Sequence, residues 1–305
     1  MSETDQQTTD DTDFRNEIGT VETISGVAQA RTQVHSGGDA QTGNRQLLRT
    51  EKIHLPDDGT FEDVPFIAGN SVRGHVRRLL AEDILSRLDY TVTDERLFHL
   101  LRAGGVLEQG GKAEIDVGMR REIRDAFPII DLLGGSTGNQ MFGGTVDIHH
   151  LTLVCRENNW RLSEENQSET SWREFVDEMH QTRMHDNPDD TGMDVDFGFD
   201  FDAEAEDAAG SQQMIYHFDV LVPGTRFEHS VRFESYATDL ARATMCHGLQ
   251  LWQDEGTIGG MAAAGLGQID IEYDTDLESG AEPYVEYVAD HGGEIVDALE
   301  TIARK

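Results

Sequence analysis

The chain of 305 residues carries 59 acidic against 24 basic residues, a formal charge of −35, with 37% hydrophobic residues and a mean hydropathy of −0.50. That is enough chain for a sizeable core in one large or two ordinary domains, while no segment approaches the roughly 20 consecutive apolar residues that span a bilayer. Two cysteines, Cys155 and Cys246, supply neither a disulfide framework nor a zinc cluster, and the polar start MSETDQQTTD is no secretory signal, so a soluble, cytoplasmic protein without a membrane partner is expected.

In chain order, residues 1–15 read as a disordered acidic tail. Val21 to Val34 alternates as a first strand and runs into the turn His35-Ser36-Gly37-Gly38-Asp39. Residues 46–55 form a second strand before a Pro-Asp-Asp-Gly turn. Pro65-Phe66-Ile67 leads through Gly69-Asn70-Ser71 into a helix on which Val72, Val76, Leu79, Leu80, Ile84 and Leu88 recur at helical spacing, with Asn70 or Ser71 as its cap. A further helix is expected at 94–103, a glycine-punctuated region at 104–146 and a strand from Ile148 to Cys155. Trp172 to His180 reads as a short helix. The longest irregular stretch, about 184–212, is an excursion from the core. Met214–Val222 and Phe227–Ser235 read as a hairpin about Pro223-Gly224, followed by a helix at 237–254, a glycine loop and a closing strand at Ile269–Ile271. The order is α+β, with 20–275 as the core and 276–305 as an acidic helical tail.

Only Lys52, Lys112 and Lys305 are lysines; the other cations are arginines. So acidic and lysine-poor a composition resembles that of a salt-in halophile protein, and a net charge of this sign opposes non-specific contact with nucleic acid. The acids are unevenly spread. From Thr23 to Thr50 the sole acid is Asp39, alongside Arg31, Arg45 and Arg49. Val64 to Ala81 has none and carries Arg73, His75, Arg77 and Arg78, and Gly256 to Ile269 is acid-free and rich in glycine. Such stretches are read either as buried core or as places kept clear for an anion. Arginines are seldom buried without a partner, which favours the anion for the first two. In the segment PFIAGNSVRGHVRRLL, Arg73 and Arg77 stand four apart near a helix N-terminus, where a phosphate held by amides and guanidinium forks would offset misplaced positive charge. The alternative is pairing with the abundant carboxylates.

Taken together, VHSGGD (34–39), PFIAGNSVRGHVRRLL (65–80), MFGG (141–144), YHFDVLVPGTRF (216–227) and GTIGGMAAAGLGQIDI (256–271) resemble the RAMP superfamily of CRISPR-associated proteins, in particular the backbone subunit of class 1 effector complexes of type IV or a type III-like kind. The resemblance implies a ferredoxin-like, RRM-type palm with inserted finger and thumb-like segments. It implies copies of the chain lined along a guide RNA (crRNA), each gripping the RNA backbone while the bases stay free to pair with a target DNA or RNA, beside other CRISPR effector subunits. The expected RNA contacts are Arg31, His35, Arg45 and Arg49 from the first acid-free stretch. Asn70, Ser71, Arg73, His75, Arg77 and Arg78 come from the second, and Gly259, Gly260, Gly265 and Gly267 from the third. The thumb-like insertion offers Met193, Phe197 and Phe199 (with Phe201) as a wedge against bases, or as packing against a neighbouring copy.

Asp39 occupies the place at which type III-like backbone subunits carry an aspartate tied to metal-dependent cleavage of target RNA. A carboxylate beside a phosphate can hold Mg²⁺, although Asp after Gly-Gly is also an ordinary turn residue. The expectation is a non-catalytic subunit without a cofactor, with Mg²⁺ entering only if Asp39 is catalytic. An acidic scaffold that never touches RNA is the third reading. His149 and His150 receive no role.

Overall fold

A computed structural model describes residues 22–42, 45–56, 59–105, 117–137, 140–183 and 214–303. Its strands are β1 (Thr23–Ala30), β2 (Gly37–Thr42), β3 (Arg45–Leu48), β4 (Thr50–His54), β5 (Phe61–Ile67), β6 (Gly135–Thr137), β7 (Gln140–Phe142), β8 (Val146–Ile148), β9 (Leu151–Leu153), β10 (Val176–Arg183), β11 (Met214–Leu221), β12 (Arg226–Phe233) and β13 (Ile269–Tyr273). The helices are α1 (Gly69–Arg87), α2 (Glu95–Ala103), α3 (Val117–Ala126), α4 (Pro128–Leu133), α5 (Asp239–Glu255), α6 (Leu277–Asp290) and α7 (Gly292–Ala303).

The main sheet runs β13-β1-β12-β9-β5-β4, with β8 also on β12. Its neighbours are all antiparallel. Followed along the chain, β1, α1, β9, β12, α5 and β13 make a βαββαβ unit in the order fourth-first-third-second, which is the ferredoxin-like arrangement; the expected α+β, RRM-type core is present. Burial along β12 alternates strictly, with Phe227, His229, Val231 and Phe233 inside. One face of an antiparallel sheet is thereby covered and the other left polar. Helices α1 and α5 share the core with this face and pack on each other so closely that a Cβ on Gly248 would sit 2.7 Å from Val76 Cγ1. The segment expected as a helical tail is helical in α6 and α7, and Tyr284, Ile295, Leu299 and Ile302 from it are buried in the same core.

Four local expectations change. Trp172–Phe175 is a short 3₁₀ turn, and the helix expected to continue to His180 is instead strand β10. Eight register pairs with β11, from Val176–Leu221 to Arg183–Met214, override its local pattern. Strands β11 and β12 are not a hairpin: β12 is bonded to β1 on one edge and to β8 and β9 on the other, so neither edge is free for β11. Pro223-Gly224 instead carries the chain out of a second sheet, β10-β11-β3-β2. The strand expected at 46–55 splits at Arg49, because β3 pairs with β2 and β11 whereas β4 pairs with β5. The strand expected from Ile148 is likewise split, at His149-His150, into β8 and β9. The insertion at about 184–212 with Met193, Phe197, Phe199 and Phe201, and the tail 1–15, lie outside the described residues.

His229, 1% exposed in this core, shares a hydrogen bond of 2.9 Å between its Nδ1 and the Tyr273 hydroxyl and stacks edge-on against Trp252. Burial holds its pKa down to about 3 from 6.5. The unfolded chain therefore takes up the proton that the native state refuses, and stability is lost as pH falls below about 6.5. By pH 4.5 this one group is expected to cost roughly 3 kcal/mol. Denaturant unfolding across that range should show the loss, and His229→Phe should flatten it; an equally steep curve in the variant would remove His229 as the cause.

Candidate nucleic-acid interface

Helix α1 carries three stripes. Val72, Val76, Leu80 and Ile84 face the core. Arg73 and Arg77 point toward the α4–β6 turn. Ser71, Gly74, His75 and Arg78, spaced i, i+3, i+4 and i+7, lie on one face and look into a groove of about 470 Å³. The groove is completed by Asn70, by His35-Ser36-Gly37 at the start of β2, by Arg49 between β3 and β4, and by Ile258-Gly259-Gly260. Eight of the residues expected at an RNA face thus come together from four distant parts of the chain: His35, Arg49, Asn70, Ser71, His75, Arg78, Gly259 and Gly260. Among the described residues no carboxylate lines it.

Backbone contacts fix this arrangement. The Gly260 amide donates to the His35 carbonyl at 2.9 Å, the Ile258 amide to Gly267 at 2.8 Å, the Gly267 amide to Gln33 at 2.7 Å and the Arg49 amide to Ser36 at 2.7 Å. Two glycines are required for it. Gly267 has φ +79°, and a Cβ there would lie 2.1 Å from the Ile258 oxygen. Gly259 has φ +83°, with the His35 oxygen 2.6 Å from the same hypothetical atom. Both combine a left-handed backbone with a close approach that only glycine permits. Gly265 (φ +84°) turns the same loop but has open space around it.

Among the groove cations, Arg78 has its Nη2 3.5 Å from His75 Nδ1 and no carboxylate within ion-pair distance among the described residues. His75 touches Glu255 at the rim. His35 is buried, its Nδ1 2.7 Å from the Asp219 carbonyl, so it positions the groove wall rather than offering a free ring edge. The groove can therefore accept an anion through Arg78, with Arg49 and Ser71 beside it and Glu255 as the acid at its rim.

The remaining expected residues lie elsewhere. Arg73 donates to the carbonyls of Leu133 (2.9 Å) and Val146 (2.7 Å). Arg77, 5% exposed, donates from Nη2 to the carbonyls of Leu133 and Gly134, both at 3.0 Å. These two arginines clamp the end of α4 to α1, Arg77 inside the fold and Arg73 half-buried at the edge of another cleft, and neither lines the groove. Burial pulls the Arg77 pKa down to about 10, with Arg73 adding repulsion, and its Nη1 has no partner among the described residues. Arg31 is exposed and pairs with Asp270 at 3.4 Å. Arg45 is bound to Asp219 at 2.5 Å and to Glu178 at 3.0 Å; the Asp219 hydrogen bond holds its pKa up. Asp39 lies within strand β2 rather than in a turn after Gly-Gly, and its side chain is outside the described residues.

Two features escaped the sequence reading. Neither Asn70 nor Ser71 caps α1: the helix begins at Gly69 after Ala68, and the Gly69 amide donates to His150 Nδ1 at 2.9 Å, the imidazole lying against Phe66. A histidine capping from 81 residues away leaves no local signature. The second is a trio on the second sheet, Glu178, His180 and His217. Its Glu-x-His alternation puts both side chains on one face only in a strand, and a helix over 172–180 gives it no such meaning. A larger cleft of about 640 Å³ on the other side of α1 contains Asp147 and Glu228, which makes it a poor host for phosphate.

The fold and its groove define an α+β protein with a ferredoxin-like core and a groove that carries Arg49 and Arg78 and, among the described residues, is lined by no carboxylate. Among solved structures, the chain is similar to a chain of one described as a Type IV-B CRISPR complex, with a TM-score of 0.55, 17% identity, and 84% of this chain and 91% of that one covered. No protein-family model matches the sequence, and no curated protein matches it. Among the described residues no helix is long and apolar enough to cross a membrane.

Proposed function

We propose that this chain is a crRNA-binding backbone subunit of a class 1 CRISPR effector complex, of a type IV kind, which lines up in copies along the guide and presents it for pairing with target DNA or RNA. The observation that carries the reading is the groove joining Ser71, His75 and Arg78 of α1 to Arg49 and the 258–260 loop, lined by no carboxylate among the described residues in a chain of net charge −35. The fold likeness to a chain of a Type IV-B CRISPR complex supports it. On this reading the chain grips sugar and phosphate, with the other subunits of the effector as its partners, and base pairing supplies the sequence specificity. It needs no cofactor, and its site of action is the cytoplasm.

In molar salt the Debye length shrinks to about 3 Å, so long-range attraction contributes little and binding rests on short guanidinium–phosphate forks and amides. Arginine suits this better than lysine because its planar fork matches a phosphate bidentately. The test is purification of the protein with its neighbouring subunits from cells grown and lysed at high salt. Co-purifying RNA of uniform length, retained at molar salt, is the expected result; a complex free of small RNA contradicts the reading. In the same preparation Asp39→Ala addresses cleavage. Unchanged fate of a guide-matched RNA target is expected, whereas loss of cutting with the guide still bound would make Asp39 the centre of a metal-dependent endoribonuclease using Mg²⁺.

A further inference from the structure

Strands β10 and β11 place three metal-ligating side chains on one face of the second sheet. His180 and His217 are directly opposed in the register, and Glu178 is two residues before His180, hence on the same side. The two Nδ1 atoms are 2.8 Å apart, and His217 Nδ1 is 3.1 Å from Glu178 Oε1. All three ligand atoms lie within 4.8 Å of one another.

Protons alone serve this arrangement badly. If His217 Nδ1 carries hydrogen and donates it to Glu178, it cannot also accept from His180. If it is bare, it loses the carboxylate. A single cation at the centre would satisfy all three lone pairs. The two oxygens of Glu178 are already divided: Oε1 faces the histidines, while Oε2 is held 3.0 Å from Arg45 Nη1, and Arg45 is itself anchored on Asp219. An outer partner that fixes a ligating carboxylate in this manner is a regular part of metal sites. His180 is exposed and the other two ligands are half-buried, so an ion can enter from solvent.

We propose that Glu178, His180 and His217 form a site for a divalent transition metal of the zinc class. Two imidazoles and one carboxylate suit Zn²⁺, whereas Mg²⁺ and Ca²⁺ prefer oxygen alone. Ligands at about 2.0–2.1 Å in a tetrahedron stand roughly 3.3 Å apart, so the histidines need to separate by only half an ångström or so, and water takes the fourth position. The ion would staple an edge strand, β10, to its neighbour. This site is independent of the RNA reading.

The test is titration of the full chain with Zn²⁺ in excess Mg²⁺. The Mg²⁺ occupies the many surface carboxylates without competing for imidazole. One equivalent is expected to bind, with a rise in Tm, and His180→Ala and His217→Ala are each expected to weaken binding roughly tenfold or more. Imidazole ¹⁵N spectra of the unaltered protein keep the question open to measurement even if a variant fails to fold: two of the twelve histidines should shift at one equivalent. Weak multi-site uptake removed by Mg²⁺, affinity unchanged in both variants, or no imidazole shift would each overturn the proposal.

Discussion

Arg77→Glu is expected to unfold the protein or bring it close to unfolding, with a loss of roughly 3–5 kcal/mol and a Tm lower by roughly 6–10 °C. The guanidinium sits almost wholly inside the fold and bridges the carbonyls of Leu133 and Gly134. A carboxylate in its place would turn two acceptors toward a third, in a site where unpaired charge is heavily penalised. Protonation of that glutamate would remove the charge but supply one donor at most. The loss is large against the roughly 5–15 kcal/mol by which domains are stable. Arg77→Met makes the comparison informative. It leaves the Gly134 carbonyl without its guanidinium partner, yet also relieves the desolvation that pulls the Arg77 pKa down, so it should cost no more than about 2 kcal/mol. Urea unfolding followed by circular dichroism measures both. A glutamate variant as stable as the parent would show that Arg77 does not hold α4 to α1. Loss of RNA from any Arg73 and Arg77 charge reversal would accordingly report a broken fold rather than a broken contact.

The next residue is expected to behave in the opposite way. Arg78→Glu should leave Tm within a degree or two, because its side chain enters no ion pair among the described residues, while RNA affinity should fall by roughly 10- to 100-fold. The estimate follows from losing one charge-assisted fork of about 1.5–3 kcal/mol. In molar salt, where screening confines charge effects to contact distance, the loss should persist; at low salt, like-charge repulsion between the new carboxylate and phosphate should enlarge it. Fluorescence anisotropy with a labelled RNA of about the guide's length, read at two salt concentrations and beside the unfolding curve, separates the cases. Full affinity in a folded Arg78→Glu protein would move the RNA away from this groove and leave the proposed function without its carrying observation.

Adjacent arginines with opposite expected consequences show where the sequence stops being informative. Several things could be read from composition and spacing. The acid-free windows, the helical repeat of Val72, Val76, Leu80 and Ile84, the α+β order and the glycine loop at 256–267 all follow from local chemistry. Even the stripe Ser71, Gly74, His75 and Arg78 is helical arithmetic. Local chemistry does not say what stands opposite a helix face. Arg77 goes inside because the α4–β6 turn brings the Leu133 and Gly134 carbonyls against it, and Arg78, about 100° further round the helix, finds the groove instead. For the same reason β10 is a strand, β11 and β12 never pair, His150 caps a helix from 81 residues away, and Glu178 meets His217. Each depends on partners distant in the chain, and the free energy of satisfying a buried donor or a strand edge outweighs the weak preferences of a short segment.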